Sequence, residues 1–358
     1  MPGLTIPFTG LKKQYNNLRT EILDVTDEVL RSGQLIDGNY TIEFENWLAQ
    51  KNRSKYAVTC HSGTQALEII AEYYYTTMVN TSLPRVILPA MTHVATGNAF
   101  VRAGWEVYIA DTDYHGLLDK KKIPNELVQT VVLVGLYGAS VNEERYWSRD
   151  LIIEDGTEHW LSNNCNRVGQ ATAVSFDSIK NLNCYGNGGA VITNDLALLE
   201  YARMWRNNGK PNYHYTGTNS RISEVDAAQL LIKTRHINDW QSRRASISKY
   251  WIDRLKRTKI RSLIDSSNVE THAFHRFVVE LDQRDILQKN LAIKGIETRI
   301  HYKEPLHELP AFNGCTGPDV LSVASALSRR VLSLPLYPEL TDLQVEYIID
   351  QVIDFSLL

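Results

Sequence analysis

Seven short runs of apolar and β-branched residues recur through the first half of the chain, and they limit its possible folds more than any other feature. The runs cover residues 56–59, 86–88, 107–110, 131–134, 151–153, 173–176 and 190–193. Such runs are typical of strands that are buried on both faces. Segments with helical periodicity lie between several of them, including residues 64–75 and 93–103. This alternation predicts an α/β fold with a mostly parallel sheet covered by helices.

The pattern changes after residue 223, where the chain becomes helical and charged to about residue 259. Ser223 is the expected N-cap of the first of these helices, because acidic residues follow it in the first turn. A mixed unit follows, with strand patterns at 274–281 and 297–300 and helix patterns at 284–294 and 342–353. We therefore predict a large domain over residues 1–240 and a smaller α+β C-terminal domain over residues 241–358.

Composition excludes several classes of protein. The chain has 358 residues, of which 22% are charged, and its net charge of −3 gives no electrostatic reason to bind nucleic acid or a membrane surface. The N-terminus lacks a basic region followed by a long apolar core, so we expect no signal peptide and a cytoplasmic location. The cysteines have neither disulfide nor metal spacing, so free thiols and no metal site are expected. They are Cys60, Cys165, Cys184 and Cys315.

Polar residues follow four of the predicted strands at the point where each strand ends. They lie in the 60–64 loop, in the 89–93 loop, at Asp155 and at Ser175. Ligands bind at the carboxyl ends of the strands in sheets of this type. The sequence therefore predicts one ligand site that is built from these four positions.

The chemistry of these residues suits pyridoxal phosphate. Lys180 offers an amine that forms a Schiff base with the cofactor's aldehyde, and Asp155 offers a carboxylate that keeps the pyridine nitrogen protonated. Gly63 and Thr64 open a helix whose amides suit a phosphate, and Ser175 could add a hydroxyl. Ordinary roles remain open for each residue alone, since an N-capped helix, a carboxylate paired with arginine and a solvated lysine look the same in sequence.

The order of the motifs resembles that of the DegT/DnrJ/EryC1/StrS family of pyridoxal phosphate-dependent sugar aminotransferases. The resemblance extends over essentially the whole chain. The motifs that carry it include SGTQAL at 62–67, PAMT at 89–92, ED at 154–155, KNL at 180–182, GTNSR at 217–221 and LSLP at 332–335.

This resemblance implies a fold type I transferase with a seven-stranded sheet in its large domain, and a homodimer with active sites at the subunit interface. It also implies a role for each matching residue. Lys180 would be the Schiff-base lysine and proton shuttle, Asp155 the partner of the pyridinium nitrogen, Gly63, Thr64 and Ser175 the phosphate ligands, Asn219 a contact to the other subunit's cofactor phosphate, and His93 the ring stacked on the cofactor.

Two positions depart from the family pattern. His93 stands where the family usually has Phe, Tyr or Trp, so the ring face meets a titratable nitrogen. Glu158 stands where the family usually has Gln, near the cofactor's phenolic oxygen. A carboxylate beside a phenolate is repelled unless one of them carries a proton, so we expect a shifted pKa at Glu158 or a side chain that turns away.

The resemblance implies transfer of an amino group to a keto-sugar, with a nucleotide-linked sugar and L-glutamate as the expected substrates. The alternatives are a sugar dehydratase, an aminotransferase for a non-sugar ketone and a non-catalytic relative. Lys180 argues against the dehydratases, which carry His at this position, and the retained Asp155 and Ser175 argue against a non-catalytic protein. Arg299, His301 and Tyr302 are the candidate contacts to the substrate, because cations and rings suit diphosphates and sugars.

Overall fold

The computed structural model describes residues 5–78, 84–123, 130–141, 151–162, 169–318 and 320–357. The helices are α1 (Leu11–Ser32), α2 (Asn39–Lys51), α3 (Gly63–Met78), α4 (Val94–Arg102), α5 (Leu196–Trp205), α6 (Glu224–Thr234), α7 (Ile237–Leu255), α8 (Arg284–Ile293), α9 (Ser322–Arg330) and α10 (Asp342–Ser356). The strands are β1 (Tyr56–Cys60), β2 (Arg85–Pro89), β3 (Glu106–Ala110), β4 (Thr130–Val134), β5 (Leu151–Asp155), β6 (Ala171–Ser175), β7 (Gly189–Thr193), β8 (Arg261–Ser262), β9 (Phe277–Glu280) and β10 (Val331–Leu334).

The first seven strands form one sheet in the order β1-β7-β6-β5-β4-β2-β3. β7 pairs antiparallel with both β1 and β6, whereas the neighbouring pairs from β6 to β3 are parallel. Each of the seven apolar runs falls on one of these strands, so the predicted α/β fold with a mostly parallel seven-stranded sheet is confirmed. The carboxyl ends of β2, β5 and β6 lie along one edge of the sheet.

Burial on both faces of the sheet explains why the runs are continuously apolar. Val58 of β1 packs into the core formed with α3 and α4, whereas its neighbour Ala57 packs into the core that contains α2 and α6. Ala173 and Val174 of β6 divide between the same two cores. Because successive side chains of a strand point to opposite faces, a strand with two buried faces has no place for an alternating polar residue.

A second, antiparallel sheet of order β10-β9-β8 lies in the C-terminal part of the chain. Its core includes Trp251 of α7 and Ile348 of α10, and Ile6 from the other end of the chain joins the same cluster. The prediction of an α+β C-terminal unit therefore agrees with the elements observed. The division at residue 240 falls within α7 and stays a prediction.

The strand predicted at residues 297–300 is wrong. This segment makes a single antiparallel bridge, between Arg299 and Ser333 of β10, and the residue before it, Ile296, makes a parallel bridge to Ile6. The segment thus divides its backbone hydrogen bonds between two partners and has no continuous ladder with either. Two short strands that the sequence patterns did not indicate, β8 and β10, complete the small sheet instead.

Three features bear on the compositional predictions. Cys60, Cys184 and Cys315 are free thiols, and Cys165 lies outside the described residues. Within the described ranges, none of the helices combines the length and the apolar character that a membrane span requires. The same ranges hold no group of three or more His, Cys, Asp or Glu side chains placed to bind a metal ion.

Candidate active site

A cavity of about 300 Å³ opens at the carboxyl edge of the large sheet. Nine of the residues predicted for the site line this cavity, although they come from segments that are far apart in the chain. They are Gly63, Thr64, His93, Asp155, Glu158, Ser175, Lys180, His301 and Tyr302. The structure therefore brings together the ends of β2, β5 and β6, the start of α3 and the 301–302 segment.

The first turn of α3 forms one wall of the cavity. Ser62 accepts a hydrogen bond of 3.2 Å from the amide of Gln65, so it caps the helix. The first amides of a helix have no partner within the helix, and with the helix dipole they favour an anion. Gly63 has to be glycine here, because a Cβ at this position would lie 2.7 Å from Cβ of Ser175. The start of α3 and the end of β6 therefore lie in close contact beside the cavity that both line.

Asp155 lies at the end of β5 with 3% of its surface exposed. Thr96 donates a hydrogen bond of 2.7 Å to Oδ2, and the amide of Thr157 donates one of 3.2 Å to Oδ1. In the part of the chain that the structure describes, no lysine, arginine or histidine forms an ion pair with this carboxylate. A buried carboxylate with neutral donors alone suits a ligand that brings a positive charge.

Lys180 follows β6 and reaches into the same cavity. Its side chain is 13% exposed, and its Nζ lies 3.4 Å from Oε1 of Glu158. The backbone around it is held by the 177–180 turn, in which the amide of Lys180 donates to the carbonyl of Asp177. Lys180 is thus a largely shielded amine whose one carboxylate partner in the described structure is Glu158.

Glu158 faces the cavity and does not turn away from it. The backbone amide of Tyr137 donates a hydrogen bond of 2.7 Å to Oε2, while Oε1 lies 3.3 Å from Nε2 of His275 and 3.6 Å from Nε of Arg276. Burial opposes ionisation of Glu158, but the neighbouring positive charges, first that of Lys180 and then that of Arg276, outweigh it and hold the pKa of this carboxyl well below its usual range. This lowering comes from the protein's own cations, and the shift expected from a neighbouring cofactor phenolate stays a prediction.

His93 lies at the mouth of the cavity, where it is the N-cap of α4. Its Nδ1 accepts a hydrogen bond of 3.2 Å from the amide of Ala95, and its ring meets that of Tyr302 edge-on at 5.7 Å. Loss of solvation and the nearby charge of Lys180 lower the pKa of His93. The ring is therefore neutral near pH 7, and its proton sits on Nε2 because Nδ1 is an acceptor.

The 301–302 segment forms the wall opposite α3. A hydrogen bond of 2.9 Å joins Nδ1 of His301 and Oγ of Ser333, and burial lowers the pKa of His301 to about 3. The hydroxyl of Tyr137 donates to the backbone carbonyl of His301. This segment is thus held by one side chain from the turn that follows β4 and by one from β10 of the small sheet.

Two of the predicted residues lie elsewhere. Asn219 is exposed and pairs with Asn207 in an isolated antiparallel bridge, outside the cavity. Arg299 is also exposed, and its guanidinium lies 5.1 Å from the centre of the Phe8 ring. Neither residue contributes a side chain to the cavity within this single chain.

The sequence patterns missed His275 and Arg276, which approach Glu158 from the start of β9. Both lie at the amino end of a strand in the C-terminal part of the chain, whereas the sequence pattern predicts a ligand site only at the carboxyl ends of strands in the large sheet. The signal that was available is compositional, because a histidine and an arginine directly precede β9, a fully buried strand that leaves them no route to solvent. Arg276 is 5% exposed and lines the cavity.

These residues fit pyridoxal phosphate. The first turn of α3 suits its phosphate, and Asp155, which has no ion-pair partner in the described structure, suits its protonated ring nitrogen. Lys180 is the shielded amine that its aldehyde requires. The seven-stranded sheet with a cofactor-shaped site at its carboxyl edge defines the class of fold type I aminotransferases.

Comparison with known proteins narrows this class to one family. The model of the DegT/DnrJ/EryC1/StrS aminotransferase family matches residues 16–353, and the chain belongs to this family. The family and enzyme class that the sequence motifs predict are thus confirmed.

Relatives that align over nearly the full length support the same assignment. The chain is 31% identical over 370 residues to the dTDP-3-amino-3,4,6-trideoxy-alpha-D-glucose transaminase of Streptomyces venezuelae, covering 98% of this chain and 96% of that protein. It is 30% identical to a pleiotropic regulatory protein of Geobacillus stearothermophilus, covering 98% and 99%. The crystal structure of S. venezuelae DesV in complex with a ketimine intermediate superposes with a TM-score of 0.90 at 31% identity over 98% of both chains.

Proposed function

We propose that the protein is a pyridoxal phosphate-dependent aminotransferase that converts a nucleotide-linked keto-sugar into an amino sugar, with L-glutamate as the amino donor. Several relatives carry names of this kind, including a dTDP-3-amino-3,6-dideoxy-alpha-D-galactopyranose transaminase and a UDP-2-acetamido-2-deoxy-3-oxo-D-glucuronate aminotransferase. Each aligns with at least 96% of this chain at 29% identity. Their shared substrate class is a nucleotide-linked sugar.

The observation that carries the proposal is the placement of Lys180 and Asp155 in one cavity. One is a shielded amine, and the other is a buried carboxylate without an ion-pair partner in the described structure. A non-catalytic relative has no need to keep this pair, because an uncompensated buried carboxylate destabilises the fold. A dehydratase of the related type carries a histidine in place of Lys180.

The cofactor, when bound, supplies a ring that withdraws electrons from the reacting carbon. Gly63, Thr64 and Ser175 would hold its phosphate, and Asp155 would hold its protonated ring nitrogen. His93 would lie against its ring with a neutral imidazole. Nζ of Lys180 would carry the proton between the substrate carbon and C4′ of the cofactor.

We also propose that the protein is a cytoplasmic homodimer with shared active sites. Exposed apolar side chains at the end of α1 and through α2 support an interface, among them Leu30 at 57% and Ile42 at 54% exposure. The exposed position of Asn219 is compatible with a contact to the partner's cofactor site. Light scattering of the purified protein gives the mass directly, and a mass near 40.8 kDa would contradict the dimer.

Absorbance spectroscopy and product analysis test the proposed function together. The protein loaded with pyridoxal phosphate should show a visible band that bleaches with L-glutamate, and it should then aminate at least one member of a panel of nucleotide-linked 3-keto and 4-keto sugars. Lys180→Ala should fold and lose turnover by roughly 10²–10⁴-fold. Amination of simple keto acids alone would favour the non-sugar alternative, and normal turnover in Lys180→Ala would contradict the proposed role of this lysine.

A further inference from the structure

A row of buried side chains leads from Lys180 away from the cavity. Nζ of Lys180 lies 3.4 Å from Oε1 of Glu158, and the same oxygen lies 3.3 Å from Nε2 of His275. On the far side of the imidazole, Nδ1 lies 3.1 Å from Oδ1 of Asn181. The side chains of Glu158 and His275 are 6% and 2% exposed, so the contact between these two residues is shielded from solvent.

The amide of Asn181 fixes the proton on the imidazole. Its Nδ2 donates two hydrogen bonds of 2.9 Å, one to Oε1 of Gln241 and one to the carbonyl of Ala273. The amide oxygen therefore faces His275, and only a protonated Nδ1 bonds to an oxygen. Burial lowers the pKa of His275 well below its usual value, so the ring is neutral and Nε2 carries a lone pair.

Two acceptors consequently face each other between Glu158 and His275. Oε1 is a carboxylate oxygen, and Nε2 makes no hydrogen bond in the described part of the chain. This arrangement is tolerated because the charges of Lys180 and Arg276 both lie close to Oε1. The contact has room for one proton, and it would become a strong hydrogen bond if one arrived.

We propose that Glu158 and His275 form the acceptor for the proton that Lys180 releases when its amine becomes a nucleophile. An N–H bond of the Lys180 ammonium breaks. The proton forms an O–H bond with Oε1 of Glu158 or an N–H bond with Nε2 of His275, and it is hydrogen-bonded to the other of these two atoms. The amine keeps the electron pair, and no atom leaves the site. The charge that Lys180 loses is thereby retained 3.4 Å away, beside the position where the amine reacts.

A glutamine at position 158 could not perform this step, because a neutral amide does not accept a proton near pH 7. Glu158 therefore has a function that the usual residue of the family lacks, and His275 acts through it as a positioning residue. The backbone supports this role, since Tyr137 is held at a φ of 63° with its amide directed at Oε2. Such a conformation is uncommon for a residue with a side chain and persists where the surroundings enforce it.

Other titratable groups surround the pair and set its proton affinity. The groups from all packed segments are Lys180, Arg276, Asp155, Tyr137, His272, His301, Tyr302 and His93. Lys180 and Arg276 disfavour an added proton while both are cationic. Once Lys180 is neutral, its part of this opposition is lost, and the proton is held by the two facing acceptors.

The number of protons released during cofactor uptake tests the proposal. The proposal rests on the proposed function, because uptake of pyridoxal phosphate triggers the proton transfer. The cofactor-free protein is mixed with pyridoxal phosphate in weak buffer that contains a pH indicator. Wild type should release about one proton fewer per chain than His275→Gln or Glu158→Gln, because the pair retains the proton. His307→Gln removes a half-buried histidine outside the cavity and should match wild type.

A second measurement follows the protonation of the imidazole directly. In wild-type protein labelled with ¹⁵N-histidine, cofactor uptake should move the Nε2 resonance of one buried histidine toward the protonated range, and His275→Gln should lack this signal. Equal proton counts in wild type and both variants, together with unchanged histidine resonances, would overturn the proposal. If none of the proteins takes up pyridoxal phosphate, the proposed function fails instead, so the two failures are distinct.

Discussion

Thr96 of α4 holds Asp155 of β5 through a hydrogen bond of 2.7 Å. The bond joins the helix that follows β2 to the end of a strand two positions away in the sheet, and it orients the carboxylate without neutralising it. A cation in the place of Thr96 would form an ion pair with Asp155, and the carboxylate would then no longer favour a positively charged ligand. The neutral donor thus preserves the negative charge that the site needs.

Asp155→Asn should bind pyridoxal phosphate yet lower turnover roughly 10²-fold, because an amide does not stabilise a protonated ring nitrogen. Thr96→Val removes one donor and leaves that of Thr157, so about a tenfold loss is expected. Steady-state rates with L-glutamate measure both effects. Wild-type turnover in Asp155→Asn would show that this carboxylate does not act on the cofactor.

Gly63→Ala should weaken cofactor binding and lower stability by about 1–3 kcal/mol, because the new Cβ would lie 2.7 Å from Cβ of Ser175. Adding Ser175→Gly removes the opposing carbon and should restore most of the stability, although the hydroxyl is still missing. Chemical denaturation of both single variants and the double variant gives the coupling free energy. Additive losses in the double variant would argue against the steric explanation.

The sequence was sufficient to predict the large sheet and most of the cavity, because both follow from local patterns of residues. Each apolar run from β1 to β7 indicates burial on two faces of the sheet. Residues such as Val58 and Ala173 are apolar because of this burial, whichever residues they contact. The strand ends then identify Asp155 and Ser175, because a parallel sheet gathers its carboxyl ends along one edge.

The remainder depends on contacts that no local pattern encodes. His275 reaches Glu158 only because a segment more than a hundred residues later folds back over the large sheet. Similarly, Arg299 has a suitable side chain for a substrate, but its guanidinium lies over the Phe8 ring and outside the cavity. Contacts between distant segments decide the position of both side chains, and the periodicity of the sequence does not predict such contacts.

His93→Phe should lower the free energy of unfolding by about 1 kcal/mol, because phenylalanine cannot accept the hydrogen bond from the amide of Ala95. His93→Asn keeps a cap and serves as the matched control, with a smaller loss of stability. Denaturation by urea measures both variants in the absence of cofactor. Equal losses in the two variants would show that the N-cap contributes little at this position.

Lys233 gives a prediction for the pH dependence of stability. It is fully buried in α6, and its Nζ donates a hydrogen bond of 2.6 Å to the carbonyl of Asn183 and lies 3.8 Å from the centre of the Tyr185 ring. Burial lowers the pKa of Lys233 from 10.5 to about 8. Between these values the unfolded chain binds a proton that the folded protein has lost, so stability rises with pH.

Relative to Lys233→Met, the wild-type free energy of unfolding should therefore increase by roughly 3 kcal/mol between pH 8 and pH 10.5. The comparison uses the slope with pH, because Lys233→Met also leaves the carbonyl of Asn183 without its donor. Lys249→Met, which removes an exposed lysine of α7, is the control for loss of a positive charge and should keep the wild-type rise. Parallel curves for wild type and Lys233→Met would mean that Lys233 carries its proton in the folded protein throughout this range.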